Sequence, residues 1–350
     1  MEPVRIGIIG CGSIAQSAHL PAIARLPGIV RLVAAADLNE EAARKAAAPF
    51  GADWYTDYRQ ILARADVDMV VLCTPEFAHR EQVEAAAAAG KHILSEKPMA
   101  KTVAEADAMI EAARRAGVRL MIGHSRRFTG RYQEVRRAID AGDIGEVRVV
   151  RENERRSRPP LDRTSSTYWN PQHWTGDPRF SVGAILTNGI HEADLLRWFA
   201  GAEPVRVFAE HKITRPGNQV PDFITFTVNF ANGAVASAEV SNCLPPGYPS
   251  YHQLEVHGTR GALRSKDHDQ QALARFRDEG EDHPDSYRLL LHVQDAYVSE
   301  LSQFVDAWRR DQPVPLPAEE ARAALRLALA ADESARTGRP VDLAQGGGAR

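Results

Sequence analysis

Two short segments of the chain carry residue types and spacings that can do chemistry. The first is Gly10-Cys11-Gly12-Ser13-Ile14-Ala15, a GxGxxG/A pattern directly after an apolar run at 4–9. Glycines at these positions permit a tight turn and let a pyrophosphate approach backbone N–H groups at a helix start. Alone the pattern is weak. Here a strand precedes it, a helix follows it, and Asp37 stands at the end of the second strand, 22 positions beyond Ala15. A carboxylate there accepts hydrogen bonds from adenosine ribose hydroxyls and repels a 2′-phosphate, and the following Leu38-Asn39 supplies no arginine to offset it. NAD is therefore expected over NADP, which stays open. The competing readings are a turn that binds another nucleotide or nothing, and for Asp37 a carboxylate facing a helix dipole.

The second segment is Glu96-Lys97-Pro98, at the end of a strand expected over 92–95. A lysine at the carboxyl end of a parallel strand points at the crevice where dinucleotide-fold ligands lie. The residues alone equally allow a solvated strand-end lysine. Pro98 can lock a turn, a cis one included, that aims Lys97 inward. Residues 155–179 add arginines and aromatics, namely Arg155, Arg156, Arg158, Arg163, Tyr168, Trp169, His173 and Trp174. Such a loop suits either a sugar pocket, with Trp174 and Arg156 as candidate contacts, or a subunit interface.

These residues need elements to position them. The first third alternates β-rich runs at 4–9, 31–36, 67–72, 92–95 and 118–122 with helical stretches, the pattern of βαβ units and a parallel sheet. Helix ends are readable too. Asn39-Glu40-Glu41 opens one helix, Thr102-Val103-Ala104-Glu105 reads as a capping box, and Gly90 and Gly117 stand as C-terminal stops. After His124 the pattern changes. An amphipathic helix at about 130–141 leads into strands at 206–213, 224–230, 235–241, 252–257 and 272–277, of which 224–230 alternates apolar and polar residues strictly. Helices at about 293–310 and 318–336 follow, and the tail 344–350 is Gly-rich. The expected fold is α/β: a doubly wound Rossmann domain over 1–123, then an α+β domain over 124–350 with an open, largely antiparallel sheet. The C-terminal helix could pack back on the first domain.

A chain of 350 residues suits two domains. Its formal net charge of -3 gives no reason to expect a nucleic acid or an anionic membrane as partner. Cys11, Cys73 and Cys243 make neither CxxC nor Cys/His ligand spacing, so no metal is expected. The start runs straight into a strand without a signal-like apolar region, which suggests a cytoplasmic protein. The second face of the open sheet must be covered, and too few helices follow it to do so, so a homodimer or homotetramer is expected.

In combination and order the motifs resemble those of the Gfo/Idh/MocA family of sugar and inositol oxidoreductases. The resemblance rests on Gly10 to Ala15, on Cys73-Thr74-Pro75 with His79, on Glu96-Lys97-Pro98, on Gly123-His124 with Arg127-Phe128, and on the run from Gly183 to Asp194 containing Thr187, Asn188 and His191. It implies that Lys97 hydrogen-bonds the reacting oxygen, that His191 exchanges its proton, and that hydride moves between that carbon and a nicotinamide. By the same analogy Gly10, Gly12, Ser13, Ile14, Asp37, Thr74, Pro75, His79, Glu96 and Lys97 serve the cofactor. Lys97, Arg127, Arg156, Trp174, Asn188 and His191 are candidates for a small polyhydroxylated substrate.

One departure stands out: the family commonly has an aspartate four residues before the histidine, and here that position is Thr187. On one continuous helix, Thr187, His191 and Asp194 would share a face, and Asp194 could orient the histidine or make only a local contact. The competing functions are an NAD-using glycosidase or epimerase with transient oxidation, and a non-catalytic dinucleotide-binding regulator. Retention of both Lys97 and His191 argues against the regulator.

Overall fold

The computed structural model describes residues 2–157, 174–215, 217–244, 248, 251–266, 273–277, 285–287 and 295–344. Arg158, Arg163, Tyr168, Trp169 and His173 lie outside the described residues, as does most of the tail. The chain divides into two compact units, Met1–Thr129 with Gln294–Arg322, and Gly130–Val293 with Ala323–Arg350.

The first unit is built on six strands: β1 (Val4–Ile9), β2 (Val30–Ala36), β3 (Asp53–Tyr55), β4 (Met69–Leu72), β5 (His92–Glu96) and β6 (Leu120–Gly123). They pair in the order β3-β2-β1-β4-β5-β6, every pair parallel. Ile6, Ile8, Met69, Val70, Val71, Ile93 and Ile122 are fully buried, as strands covered on both faces must be. The order reverses between β1 and β4, which puts the residues following those strands at the switch point where such folds hold ligands. The capping box forms as expected: Thr102 Oγ1 accepts from Glu105 N at 3.2 Å and Glu105 Oε2 accepts from Thr102 N at 3.1 Å. Gly117 ends that helix in the left-handed region. The helix expected near 293–310 runs over Ala296–Arg309, with Asp295 capping it through Tyr297 N at 3.0 Å.

The second unit carries nine strands: β7 (Val147–Ser157), β8 (Pro204–Lys212), β9 (Phe223–Phe230), β10 (Val235–Leu244), β11 (Tyr251–Gly258), β12 (Gly261–Lys266), β13 (Leu273–Arg277), β14 (Asp285–Tyr287) and β15 (Val341–Asp342). Their order is β14-β13-β12-β11-β7-β10-β9-β8-β15. All pairs are antiparallel except β7 with β10, so the sheet is mixed but mostly antiparallel. In β9, Ile224, Phe226, Val228 and Phe230 are buried while Thr225, Thr227 and Asn229 are exposed, as the period of two requires.

Five strands were not expected from the sequence: β3, β7, β12, β14 and β15. Four are short or lie toward the sheet edges, but β7 is central. Its inward positions hold Glu152 and Glu154, both fully buried, where an apolar pattern would have signalled a strand. Tyr132 donates its hydroxyl to Glu152 Oε1 at 2.6 Å, which shows how a buried acid is accommodated there. Among the described residues no helix is long and apolar enough to cross a membrane.

Candidate active site

In the first unit the chain leaves β1 at Gly10 with φ of +87°, and its N–H donates to Ala36 O at 2.8 Å. A side chain there would meet the Cys73 carbonyl carbon at 2.8 Å and Thr74 Cγ2 at 2.9 Å, so only glycine fits both the dihedral and the contact. At Gly12 a side chain would meet nothing within 4 Å, leaving the space a pyrophosphate needs. A helix starts at Ser13, with Gln16 N donating to Gly12 O at 3.0 Å and a π-helical turn over Ala15–His19. The N–H groups of its first turn have no partner within the helix and face that space. Asp37 holds the turn from below: Oδ2 accepts from Cys11 N at 2.7 Å and Oδ1 from Asn39 N at 2.8 Å. Leu38 beside it is 95% exposed, and no cation is supplied at that position. The geometry fits a dinucleotide whose ribose carries no 2′-phosphate.

After β4, Thr74 Oγ1 donates to Gln82 Oε1 at 2.6 Å, and Pro75 leads into helix Glu76–Ala88. His79 is fully buried on that helix. Its Nε2 lies 2.8 Å from Thr74 O, and its Nδ1 lies 3.0 Å from Pro98 O and 3.3 Å from Met99 O. The ring therefore ties the start of the helix to the segment after Lys97. Burial pushes its pKa down, and the carbonyls pull the other way.

Lys97 directly follows β5, and its peptide bond to Pro98 is cis. Its N–H donates to Glu96 Oε2 at 3.1 Å, while Glu96 Oε1 accepts from His19 Nε2 at 2.9 Å. Burial alone would raise the Glu96 pKa, but the His19 hydrogen bond, then the charges of His19 and Lys97, hold it below the usual carboxylate range. Glu300, from helix Ala296–Arg309, is 0% exposed and neither of its oxygens has a hydrogen-bond partner among the described residues. Burial, and after it the Glu96 charge, pushes the Glu300 carboxyl well above the usual carboxylate range. A side chain at Gly123 would sit 3.6 Å from Glu96 Oε1 and 3.7 Å from Glu300 Oε1, which places both acids around one corner of the sheet. Arg127 is buried, with Nη2 3.5 Å from Glu320 Oε2.

In the second unit Gly183 has φ of +82°, and a side chain there would come within 2.3 Å of Pro221 O. Helix Ala184–Thr187 starts from it. Thr187 donates both its N–H (3.2 Å) and its hydroxyl (3.1 Å) to Gly183 O. At Asn188 the backbone leaves helical geometry (φ -125°, ψ -44°), and a second helix runs over Gly189–Ala200. The continuous stripe expected through Thr187, His191 and Asp194 is therefore corrected: Thr187 closes one helix, and only His191 and Asp194 share the next. The break is anchored by Asn188 Nδ2 donating to Asn242 Oδ1 at 3.1 Å and by His191 N donating to Asn188 O at 2.9 Å. His191 is 7% exposed. Trp174, itself half-buried, opens a turn over Trp174–Gly176 whose Thr175 and Gly176 are buried. Arg156 lies on β7, exposed and ion-paired with Glu154. Glu152, Glu192 and His252 each bring one polar atom within 4.8 Å of the others.

The expected cofactor residues, with Lys97 and Arg127, thus all lie in the first unit. Arg156, Trp174, Thr187, Asn188 and His191 all lie in the second. His19, Glu76, Glu300, Asn242 and the buried acids of β7 escaped the sequence reading. Only Glu76 had a local signal, its place directly after Thr74-Pro75, where it reads as an ordinary first-turn acid. His19 and Glu300 are brought to Glu96 by the fold.

The chemistry available is a dinucleotide-binding turn and an anchored lysine in one unit, and a buried imidazole on a helix in the other. Comparison with known proteins identifies the family. The model of the GFO/IDH/MocA oxidoreductase family with NAD-binding Rossmann fold matches residues 4–124, and that of the GFO/IDH/MocA C-terminal domain matches residues 132–264. An inositol 2-dehydrogenase of Rhizobium meliloti is 30% identical over 345 residues, 97% of this chain and 99% of its own. The WlbA dehydrogenase of Bordetella pertussis, solved with NADH and UDP-GlcNAcA, superposes with a TM-score of 0.84 at 28% identity, covering 98% of this chain and 99% of its own. A levoglucosan dehydrogenase solved with NADH and levoglucosan gives 0.87 at 26% identity, covering 98% and 100%. The glycine turn held by Asp37, the lysine anchored at the end of β5 and matches along both units lead to one assignment: the chain belongs to the Gfo/Idh/MocA family and is an NAD-binding oxidoreductase.

Proposed function

We propose that this enzyme moves a hydride between NAD and a hydroxyl-bearing ring carbon of a sugar, an inositol or a sugar-derived acid. The observation that carries the reading is Lys97, held through its N–H by Glu96 at the carboxyl end of β5, in the same sheet whose β1 ends in the glycine turn. Inositol and levoglucosan, for which relatives are named, and UDP-GlcNAcA, with which another was solved, share a polyhydroxylated ring, and that is the class proposed here. Bound NAD supplies the hydride acceptor. Lys97 donates a hydrogen bond to the reacting oxygen and stabilises its developing negative charge. His191 takes the hydroxyl proton as the carbon gives up its hydride, leaving a ketone. Thr187, whose hydroxyl proton is engaged with Gly183 O, contributes a hydrogen bond at most.

A panel of polyols, sugars and sugar acids, scanned at 340 nm with NAD and with NADP, tests this. A steady rise of NADH with at least one cyclic polyol is expected. Turnover with only catalytic NAD and no accumulating NADH would replace it by the transient-oxidation reaction.

The proposal extends to a homodimer or homotetramer that pairs the uncovered faces of the β7–β11 sheet. Support comes from that face itself, where Arg155 bridges Glu239 at 2.7 Å and Tyr251 at 2.5 Å among half-buried strands. A monomer by light scattering at micromolar concentration would remove this part. A cytoplasmic site of action fits the free cysteines Cys11, Cys73 and Cys243.

A further inference from the structure

Two hydrogen-bond donors of the second unit are buried without an acceptor among the described residues: Nη1 of Arg215, which is 7% exposed, and Nδ2 of Asn242, which is 3% exposed. Neither enters the mechanism above. Asp222, directly before β9, connects the loop after β8 that carries Arg215 to the end of β10 that carries Asn242. Its main-chain O accepts from Asn242 N at 2.9 Å. Its fully buried carboxylate is spent on the loop: Oδ1 accepts from Thr214 N at 2.7 Å, and Oδ2 accepts from Thr214 Oγ1 at 3.1 Å and from Asn218 Nδ2 at 3.2 Å. With both oxygens so engaged, Asp222 holds the loop rather than the guanidinium. Asn218 N donates to Arg215 O at 3.2 Å and closes the turn. The same corner adjoins the substrate candidates. Asn242 Oδ1 accepts from Asn188 Nδ2 at 3.1 Å, directly after Thr187, and Pro221 O accepts from Ala184 N at 2.8 Å.

A guanidinium taken out of water needs an anion, and a buried amide N–H needs an acceptor. A guanidinium only donates, and so does an amide nitrogen. The counterpart of both groups must therefore accept, and Arg215 requires that it be negative. We propose that Arg215 and Asn242 form an oxyanion subsite for the substrate, taking the carboxylate of a sugar-derived acid. This rests on the reading of the substrate above and narrows it from polyhydroxylated rings at large to those that carry an acid group. A planar guanidinium matches a carboxylate with two parallel hydrogen bonds, and one arginine with one neutral amide balances a single negative charge, not the larger charge of a phosphate ester. Because Asn242 is bonded to Asn188, an acid group held there stands beside the helix break that precedes His191.

The test is calorimetric binding of paired ligands to the NADH-loaded enzyme: uronic and aldonic acids, the neutral sugar of each, and inorganic phosphate. Wild type should bind at least one acid about tenfold or more tighter than its neutral counterpart, and Arg215→Met should shrink that ratio about 10- to 100-fold as charge-assisted bonds are lost. Arg215→Lys, which keeps the charge without the fork, should recover part of the ratio, and Asn242→Ala should lower it by about three- to tenfold. Without ligand, Arg215→Met should melt no lower than wild type, because no partner within the chain is lost. A markedly lower melting temperature would overturn the subsite in favour of a structural role. So would acids that bind wild type no tighter than neutral sugars, or a ratio left unchanged in Arg215→Met. Phosphate binding that depends on Arg215, with no preference for acids, would replace the carboxylate by a phosphate. Loss of an oligomer in Arg215→Met by light scattering, with the ratio intact, would assign the guanidinium to a second copy of the chain instead. Acids that bind as expected but yield no NADH when offered with NAD would remove the hydride-transfer reading and leave the subsite standing.

Discussion

In the first unit the side chains that matter are bonded to main chain; in the second they depend on a broken helix and on a partner strand. Asp37 holds two backbone N–H groups, His79 reaches three carbonyls and Glu96 holds the N–H of Lys97. By contrast His191 takes its place from the interruption at Asn188, whose amide leans on Asn242, 54 positions away. Side chains bonded to main chain keep their geometry when neighbours change, because the backbone of a packed parallel sheet moves little. A helix break held by an amide pair is more open to change, and it is beside that break that this chain carries Thr187.

The reaction proposed above takes Lys97 from one unit and His191 from the other, and the largest effects are expected at these two residues. Lys97→Ala and His191→Ala should each lower kcat by roughly 10²–10⁴. Lys97→Ala should still bind NADH in a fluorescence titration. Loss of NADH binding together with activity would mean that Lys97 serves the cofactor instead.

The first unit can be probed through its buried acid. The folded state raises the Glu76 pKa from the ordinary 4.5 to about 7, so it keeps a proton that the unfolded chain has already lost. Stability should therefore fall as pH rises from 4.5 to about 7, by up to about 3 kcal/mol from this group. Denaturation midpoints at pH 5 and pH 8 should draw together in Glu76→Gln. An unchanged difference would mean that the carboxyl is ionised throughout.

Asp37→Ser should reduce the preference for NAD over NADP by about ten- to hundredfold, as charge-assisted bonds of roughly 1.5–3 kcal/mol are lost. A wild type that already prefers NADP would contradict the role given to Asp37. In the second unit, Gly183→Ala forces a side chain into Pro221 O at positive φ, at a cost of at least about 1–3 kcal/mol in folding. An unaltered melting temperature would show that the helix start relaxes freely. The smallest effect is expected at Thr187: Thr187→Val removes one hydrogen bond, about 0.5–1.5 kcal/mol, and at most roughly a tenfold change in rate. The imidazole-like limb of the pH–rate profile should persist in this variant and vanish in His191→Ala. Equal damage from both would erase the contrast between the two units.

The same contrast explains what could be read from residues alone. The parallel strands, the glycine turn, Asp37 and the capping box at Thr102 were legible because each depends on neighbours within a few positions or on an apolar run. β7 was not, because Glu152 and Glu154 occupy its buried face and only the folded unit brings Tyr132 to Glu152 and Arg156 and His252 to Glu154. The helix break was hidden for a related reason: Asn188 sits in an otherwise helical run, and the amide that holds it belongs to β10. His19 lies 77 positions from Glu96, a separation over which no spacing rule operates.

The two backbone bonds made by Asp37 have a consequence for how readily such an enzyme can change its cofactor. The carboxylate that would face the ribose also fixes Cys11 at the centre of the glycine turn and Asn39 at the start of the next helix. A lineage drifting toward NADP, or a designer pushing it there, therefore edits specificity and scaffold with one substitution. Replacements that keep a side-chain acceptor at this position, such as asparagine or serine, offer a passable route. Alanine or glycine would leave the Cys11 N–H unheld, so the turn would loosen before the new cofactor could be gained.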